Sequence, residues 1–220
     1  MDCASPADRS PLPDAEAPPD CPRCPRLVAL REECRMAHPD WWNAPVPAFG
    51  DPQAHLAIIG LAPGMQGANR TGRPFTGDYA GDLLYATLAK FGLSEGDYRA
   101  SPDDGLRLKG AIILNAVKCL PPQNKTLPAE EANCRPFLMD AIGMLSNLRA
   151  FIALGKVAHD SLCRSFGVPL AKAKFAHGAV HVLPGGLTLY DSYHCSRYNQ
   201  NTKRLDAEMF EAVFERVLSN

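Results

Sequence analysis

The sequence predicts an α/β protein in which a parallel β-sheet carries helices on both faces. Short apolar runs alternate with segments whose apolar residues follow helical spacing. The strand candidates are 55–59, 111–117 and 150–154, and the helical segments after them are 82–91, 126–134 and 157–166. Strands that alternate with helices form parallel sheets, because each helix returns the chain to the start of the next strand. A chain of 220 residues, 46% of them hydrophobic, suits one domain.

The end of the chain continues this pattern. Residues 179–183 and 187–190 predict a β-hairpin that turns at Pro184-Gly-Gly186. A helix from Arg204 to Leu218 follows, with apolar residues on one face. The hairpin leads into the segment 191–197, and this helix is the closing element of the predicted fold.

Composition excludes several classes of protein. The net charge of −1 gives no global sign of nucleic-acid binding, so such a role needs a local basic patch. The chain has no apolar run of about 18 residues and no signal peptide, so we expect a cytoplasmic protein without a membrane span. Residues 1–20 contain five prolines and many small or acidic residues, which predicts a disordered tail before one domain at 21–220. A monomer is expected.

A long glycine-rich loop separates the first strand from its helix. The stretch from Gly60 to Leu84 contains five internal glycines: Gly64, Gly67, Gly72, Gly77 and Gly81. Loops this long inside a compact domain are usually functional. Open α/β sheets also bind ligands at the carboxyl ends of their strands. We therefore expect residues 61–81 to wall a pocket for a small molecule or a base.

Eight cysteines in a chain expected inside the cell favour metal binding or catalysis over disulfides. Cys21 and Cys24 form a Cys-x-x-Cys turn, which needs two further ligands to hold a metal. Cys119, after the second strand, and Cys134, in the next helix, can supply them. This set of four thiols is compatible with zinc or with a 4Fe–4S cluster.

Polar side chains follow several strands of the predicted sheet. Asp78 lies in the loop after the first strand, Asn115 ends the second, and His194 follows the hairpin. We expect them to converge near Phe75, because the carboxyl ends of parallel strands share one edge. An asparagine can read a base edge and a phenylalanine can stack on it. The aspartate can position or deprotonate water, and the histidine can donate to an oxygen that gains negative charge.

Basic residues flank the same predicted edge. They are Arg70, Arg73, Lys118, Lys125, Arg197, Lys203 and Arg204. Clustered lysines and arginines are the side chains that contact phosphates. The sequence thus places a local basic patch beside the predicted pocket.

Four motifs are the basis of a family resemblance. They are Gly60-Leu-Ala-Pro-Gly64, Asn69-Arg-Thr-Gly-Arg-Pro-Phe-Thr-Gly-Asp78, Asn115-Ala-Val-Lys-Cys119 with Pro121-Pro-Gln-Asn-Lys125, and Ser192-Tyr-His-Cys-Ser-Arg197. Together they resemble the uracil-DNA glycosylase superfamily, and within it family 5, the broad-specificity iron–sulfur class. The resemblance covers roughly residues 20–218. It implies an α/β/α sandwich around a four-stranded, mainly parallel sheet, and a 4Fe–4S cluster on Cys21, Cys24, Cys119 and Cys134.

The resemblance also implies how a damaged base is bound. A uridine flips out of the DNA duplex, and its base stacks on Phe75 and contacts Gly60, Ala62 and Gly64. Uracil is the implied substrate, with hypoxanthine and xanthine as further deaminated bases. DNA contacts are implied for Arg70, Arg73, Lys125, Arg197 and Lys203, and the segment 197–203 resembles one that wedges into the duplex.

The implied chemistry is hydrolysis of the N-glycosidic bond in base excision repair. Asp78 orients or activates the water that attacks C1′, Asn115 holds water or base, and His194 stabilises the anionic uracil. Family 4 relatives carry an acidic residue where this chain has Leu61. The resemblance therefore implies that Asp78, rather than residue 61, positions or activates the attacking water.

One motif departs from the family pattern, because His194-Cys195-Ser196 stands where the family usually reads His-Pro-Ser. Proline fixes φ and stiffens a loop, whereas Cys195 adds a thiol near the pocket. Two other interpretations stay open. One is a non-catalytic binder of uracil-containing or single-stranded DNA, and the other is a zinc-stabilised nucleotide-binding module.

Overall fold

The computed structural model describes residues 5–219, so Cys3 lies outside the described part of the chain. The helices are α1 (Pro6–Arg9), α2 (Pro25–Ala37), α3 (Ala68–Thr71), α4 (Tyr79–Lys90), α5 (Pro128–Met144), α6 (Lys156–Ser165), α7 (Arg197–Asn201) and α8 (Ala207–Leu218). The strands are β1 (Phe49–Gly50), β2 (Leu56–Gly60), β3 (Ser94–Glu95), β4 (Arg107–Leu108), β5 (Ala111–Asn115), β6 (Ala150–Leu154), β7 (Val180–Val182) and β8 (Thr188–Ser192). No helix within residues 5–219 is both long and apolar enough to span a bilayer.

The main sheet has six strands in the order β1-β5-β2-β6-β8-β7. The four central strands are parallel, and β1 and β7 pair antiparallel at the two edges. The predicted α/β class and hairpin are therefore confirmed. The expected count of four strands describes only the parallel centre, because the edge strands are two and three residues long and add little to the hydrophobic pattern.

Helices cover both faces of this sheet because the side chains of its strands alternate between two cores. Leu56 and Ile58 of β2 point into one core, which α4 and α8 cover, and Ala57 and Ile59 point into the other, which α5 and α6 cover. All five residues of β2 are buried. A strand buried on both faces reads as a continuous apolar run, which is the pattern that predicted it.

The described part of the N-terminal segment packs on the domain, so the predicted disordered tail is wrong for residues 5–20. Leu12, Ala15 and Ala17 are each at most 2% exposed. Glu16 forms an ion pair of 2.7 Å with Lys118, and both side chains are almost fully buried. The proline-rich composition indicates disorder, but composition cannot show which distant residue a side chain will meet. Without Glu16, the buried Lys118 ammonium would have no counter-charge, so the ion pair holds the segment on the domain.

Candidate active site

A cavity of about 370 Å³ opens at the carboxyl edge of the four parallel strands. Asn115 ends β5, His194 follows β8, and the loop after β2 supplies Phe75 and Asp78. These four predicted residues line the same cavity. It is also lined by Leu61, Ala62, Pro63, Gly64, Ala68, Tyr79, Ala80, Asn124, Ser196 and Arg197.

Gly60, a predicted base contact, is not among the residues that line this cavity, but it leaves room for two side chains that are. It pairs with Asn115 in the register of β2 and β5. A Cβ on Gly60 would lie 2.5 Å from Asn115 Oδ1 and 2.9 Å from the ring of Phe75. The asparagine amide and the aromatic ring therefore occupy the volume that any larger residue at position 60 would take.

Phe75 is held in a strained conformation beside the catalytic candidates. Its φ is 52°, in the left-handed region that non-glycine residues rarely adopt. Tyr98 Oη donates to the Phe75 carbonyl oxygen over 3.2 Å, and Tyr85 Oη donates to that of Pro74 over 2.6 Å. The Phe75 and His194 rings lie 5.8 Å apart at 28°. Such strain persists only where the surroundings fix it, and it concentrates at functional sites.

Asp78 joins the glycine-rich loop to helix α4. It is the N-cap residue, and Oδ1 accepts from the Ala80 backbone N–H over 3.1 Å. Gly64 and Gly67 bring the loop so close that a Cβ on either would contact Asp78 Oδ2. Burial raises the pKa of Asp78, and the backbone donors at the helix start partly oppose this rise. Asp78 is thus a fixed acceptor at the cavity wall.

His194 is uncharged at neutral pH, because burial lowers its pKa to about 4. Its backbone carbonyl accepts from Asn199 Nδ2 over 2.8 Å, which ties the loop to α7. A neutral imidazole has one N–H donor and one acceptor nitrogen. Its one N–H can donate to a developing anion while the ring itself carries no charge.

Comparison with known proteins gives the family. The family model described as the uracil DNA glycosylase superfamily matches residues 47–218. The chain belongs to the uracil DNA glycosylase superfamily. The type-5 uracil-DNA glycosylase of Thermus thermophilus is 46% identical over 198 residues, which are 88% of this chain and 90% of the relative.

Two further relatives carry the same name. The type-5 uracil-DNA glycosylase of Mycobacterium bovis is 42% identical over 202 residues, covering 88% of this chain and 75% of the relative. That of Pyrobaculum aerophilum is 38% identical over 205 residues, covering 91% and 89%. The predicted membership of family 5 is confirmed.

The basic residues predicted to form a patch beside the glycosylase cavity differ in exposure. Arg70, Lys125, Arg197 and Lys203 are exposed, as phosphate contacts require. Arg73 is 5% exposed, and its two terminal nitrogens donate to the Asp104 carboxylate over 2.7 and 2.8 Å. The predicted DNA contact of Arg73 is therefore wrong, because this arginine is committed to a buried ion pair. Lys118 is also withdrawn from the basic patch by its pair with Glu16.

Tyr79 and Asn124 also line the glycosylase cavity, and no role in binding was predicted for Asn124. Tyr79 is the first residue of α4, and the guanidinium of Arg197 lies 4.9 Å from the centre of its ring. Asn124 has a φ of 57° and follows Gln123, whose φ is 55°. Two consecutive non-glycine residues with positive φ are unusual, but only the backbone shows them.

Cys195 is not among the residues that line the glycosylase cavity. Its side chain is fully buried in the core beneath α4 and α8. Burial raises the pKa of its thiol. A thiol in such surroundings is inert, so Cys195 does not supply a nucleophile.

The four predicted metal ligands line a second cavity, together with Leu27, Val117 and Phe137. Burial raises the pKa of Cys119 to about 12 and that of Cys134 to about 11. Thiols with such pKa values become thiolates only beside a strong positive charge, such as a metal centre. Arg31 reaches the same cavity. Within the described residues its buried Nε makes no hydrogen bond, and its nearest carboxylate oxygen in an ion pair is Glu32 Oε1 at 3.7 Å.

Proposed function

We propose that this chain is a monofunctional DNA glycosylase that removes uracil from DNA by hydrolysing its N-glycosidic bond. The observation that carries this proposal is the meeting of Phe75, Asp78, Asn115 and His194 in one cavity at the sheet edge. Ligand pockets typically have volumes of about 300–1,000 Å³, so the cavity of about 370 Å³ suits a single base with part of its sugar.

The side chains of Asn115 and Phe75 recognise the base. The Asn115 side chain offers both a donor and an acceptor, which matches the paired carbonyl and N–H groups of a uracil edge. The Phe75 ring offers an apolar face for stacking. Hydrogen bonds of this kind reject cytosine, whose exocyclic amine presents a donor where uracil presents an acceptor. Hypoxanthine and xanthine carry the same carbonyl next to N–H, so we include them among the proposed substrates.

Bond cleavage is assigned to His194 and Asp78. The bond to C1′ loosens, the sugar gains positive charge and the base leaves as an anion. Neutral His194 donates to the base oxygen on which that negative charge collects. Because this donor is already in place before the bond breaks, the site does not need to rearrange during the reaction. Asp78 accepts a proton from the attacking water, for which its raised pKa is suited.

The nucleophile is water rather than an amine of the protein. None of the described residues that line the cavity is a lysine. A lysine would be required for a Schiff base with the sugar and subsequent strand cleavage. The product is therefore an intact strand with an abasic site.

We further propose that Cys21, Cys24, Cys119 and Cys134 hold a 4Fe–4S cluster. A zinc ion requires neighbouring sulfurs about 3.8 Å apart, given bonds of about 2.3 Å. Within residues 5–219, sets of three metal-ligating atoms closer than 4.8 Å include none of these sulfurs. The wider spacing of the sulfurs and the Arg31 side chain at this cavity fit a larger group with negative charge. When bound, the cluster ties the Cys21–Cys24 turn to α5.

Single-turnover cleavage of DNA duplexes tests the proposed activity. Duplexes that carry uracil, hypoxanthine or xanthine should acquire alkali-labile abasic sites. His194→Ala and Asn115→Ala should each slow uracil release at least about tenfold, since lost oxyanion donors cost about 10²–10³. The surface variants His55→Ala and Asn147→Ala are matched controls that should retain the wild-type rate. Wild-type rates for the two cavity variants would exclude this cavity, and retention on uracil DNA without cleavage would favour a non-catalytic binder.

Spectroscopy and metal analysis test the cluster separately. Anaerobically purified protein should be brown and contain about four irons per chain. Cys119→Ser should lose the colour. Cys163→Ser should keep it, because Cys163 is also buried but does not line this cavity. A colourless wild-type protein with one zinc would refute the cluster and leave the glycosylase proposal intact.

A further inference from the structure

Three metal-ligating side chains meet at a place separate from the glycosylase cavity. His159 lies in α6, His181 in β7 and Asp191 in β8. One ligand atom from each lies within 4.8 Å of the other two. His159 Nδ1 is 2.8 Å from Asp191 Oδ1, and His181 Nε2 is 3.1 Å from Asp191 Oδ2. Three elements thus direct two imidazoles at one carboxylate.

The orientation of His159 is that of a metal ligand. Its Nε2 lies 2.9 Å from the Ala173 carbonyl oxygen, which can only accept, so Nε2 carries a proton. Its Nδ1 faces Asp191, a second acceptor. A cation must therefore balance the Nδ1 side, either an extra proton or a metal. Histidines that bind metals usually donate their other N–H to a carbonyl or a carboxylate, as this one does.

We propose that His159 Nδ1, His181 Nε2 and a carboxylate oxygen of Asp191 bind a first-row transition-metal dication of the zinc class. Imidazole and carboxylate are the ligands that zinc takes beside thiolate. Bonds of about 2.0–2.2 Å in tetrahedral geometry place neighbouring ligand atoms about 3.3 Å apart. The ligand atoms of these three residues lie within 4.8 Å of one another, so small side-chain shifts bring them to that spacing. Cys163 Sγ lies 3.4 Å from His159 Nε2, the nitrogen turned away from Asp191, and so is outside the ligand set.

Burial makes this a structural site with one accessible side. The side chains of His159 and Asp191 are at most 1% exposed, whereas that of His181 is 15% exposed. An ion can therefore enter past His181, and water can complete its coordination there. The metal clamps α6 and β7 onto β8, the strand that leads to His194.

Metal binding to the full chain, with its cysteine site occupied as purified, tests the proposal. Zinc is titrated by calorimetry, and cobalt by visible absorption, into wild type, His181→Gln and the control His55→Gln. His55 is an exposed histidine directly before β2 and is not part of the three-residue cluster. We expect wild type and the control to bind one more zinc than His181→Gln does, or to bind it at least about tenfold more tightly. Zinc should also raise their melting temperature and not that of His181→Gln.

The absorption spectrum of bound cobalt distinguishes this site from the cysteine site. Cobalt bound by these residues should lack the strong sulfur charge-transfer absorption that a thiolate site gives, because no cysteine is among the ligands. Equal stoichiometry, affinity and thermal response in all three proteins would overturn the proposal and leave His159, His181 and Asp191 as a hydrogen-bonded network.

Discussion

The amide oxygen of Asn115 occupies the space that a side chain on Gly60 would need. The two residues are register partners at the carboxyl ends of neighbouring parallel strands. A Cβ at position 60 would lie 2.5 Å from Asn115 Oδ1, closer than real Cβ contacts come. Asn115, the residue proposed to bind the edge of the base, can therefore take this position only because residue 60 in the adjacent strand has no side chain.

Gly60→Ala should reduce uracil release at least about tenfold, since a misplacement of about 1 Å at a reacting centre can cost up to about 10². The clash falls on the side chains of Asn115 and Phe75, so the fold should persist. Single-turnover rates and circular dichroism measure the two effects. Gly143→Ala is the matched control: its Cβ would meet nothing within 4 Å in helix α5, so the rate should be unchanged. A Gly60→Ala enzyme with the wild-type rate would contradict the assigned role of Asn115.

His194 should make the folded state less stable in mild acid. Its pKa is about 4 in the folded protein against 6.5 for an ordinary histidine. Between these values the unfolded chain binds a proton that the folded chain does not, so the free energy of unfolding falls as the pH falls from 6.5 to 4. Below pH 4 both states are protonated and the loss is complete.

The variant His194→Gln should lack this contribution. Relative to the variant, wild type should lose on the order of 2–3 kcal/mol of unfolding free energy between pH 7.5 and pH 4. Urea unfolding of both proteins at several pH values measures the difference. Parallel stability curves would show that the imidazole is not buried in its neutral form.

How far the sequence predicts this molecule depends on whether a feature is local. The buried strands are apolar runs. Asn115 ends a strand, and Asp78 and His194 come after strands, so their meeting at one edge follows from parallel topology. The burial of Arg73 depends on Asp104, and that of Lys118 on Glu16. Such long-range pairs leave no periodic signal in the sequence, which is why an arginine in a motif was mistaken for a DNA contact.

Glu16→Gln should destabilise the protein by about 3–5 kcal/mol, because it leaves Lys118 as a buried charge without a partner. The carboxylate also accepts from Ala48 N and Ser10 Oγ, so its loss disturbs the packed N-terminal segment. Asp20→Asn is the control, since Asp20 pairs with Arg35 at the surface and should cost less than about 1 kcal/mol. Equal, small effects in thermal unfolding would support the tail that composition predicted.

Arg197 and Arg73 should give opposite phenotypes. Arg197 is exposed at the cavity mouth, so Arg197→Ala should weaken DNA binding and reduce the slope of log K against log salt by about 0.9, with unchanged stability. Arg73→Ala should instead lower stability by about 3–5 kcal/mol, because it leaves the buried Asp104 carboxylate unpaired. Binding isotherms at several salt concentrations and urea unfolding separate the two. A reduced salt slope in folded Arg73→Ala protein would restore Arg73 as a DNA contact.

Cys195→Pro should leave uracil release equal to that of wild type or faster. Within the described residues, the Cys195 backbone N–H donates to no backbone carbonyl outside regular elements, so proline removes no such bond. Proline also restricts φ, which narrows the range of positions open to His194. The thiol itself is buried and neutral, so its removal deletes no reactive group.

Cys195→Ala separates the effect of the ring from the loss of the thiol. It removes the sulfur but keeps the backbone free, so it should lower stability through a small cavity and leave the rate near that of wild type. Single-turnover rates of both variants, measured on the same uracil duplex, decide the matter. A large loss of rate in both variants, with the fold intact, would show that the Cys195 side chain has its own part in catalysis.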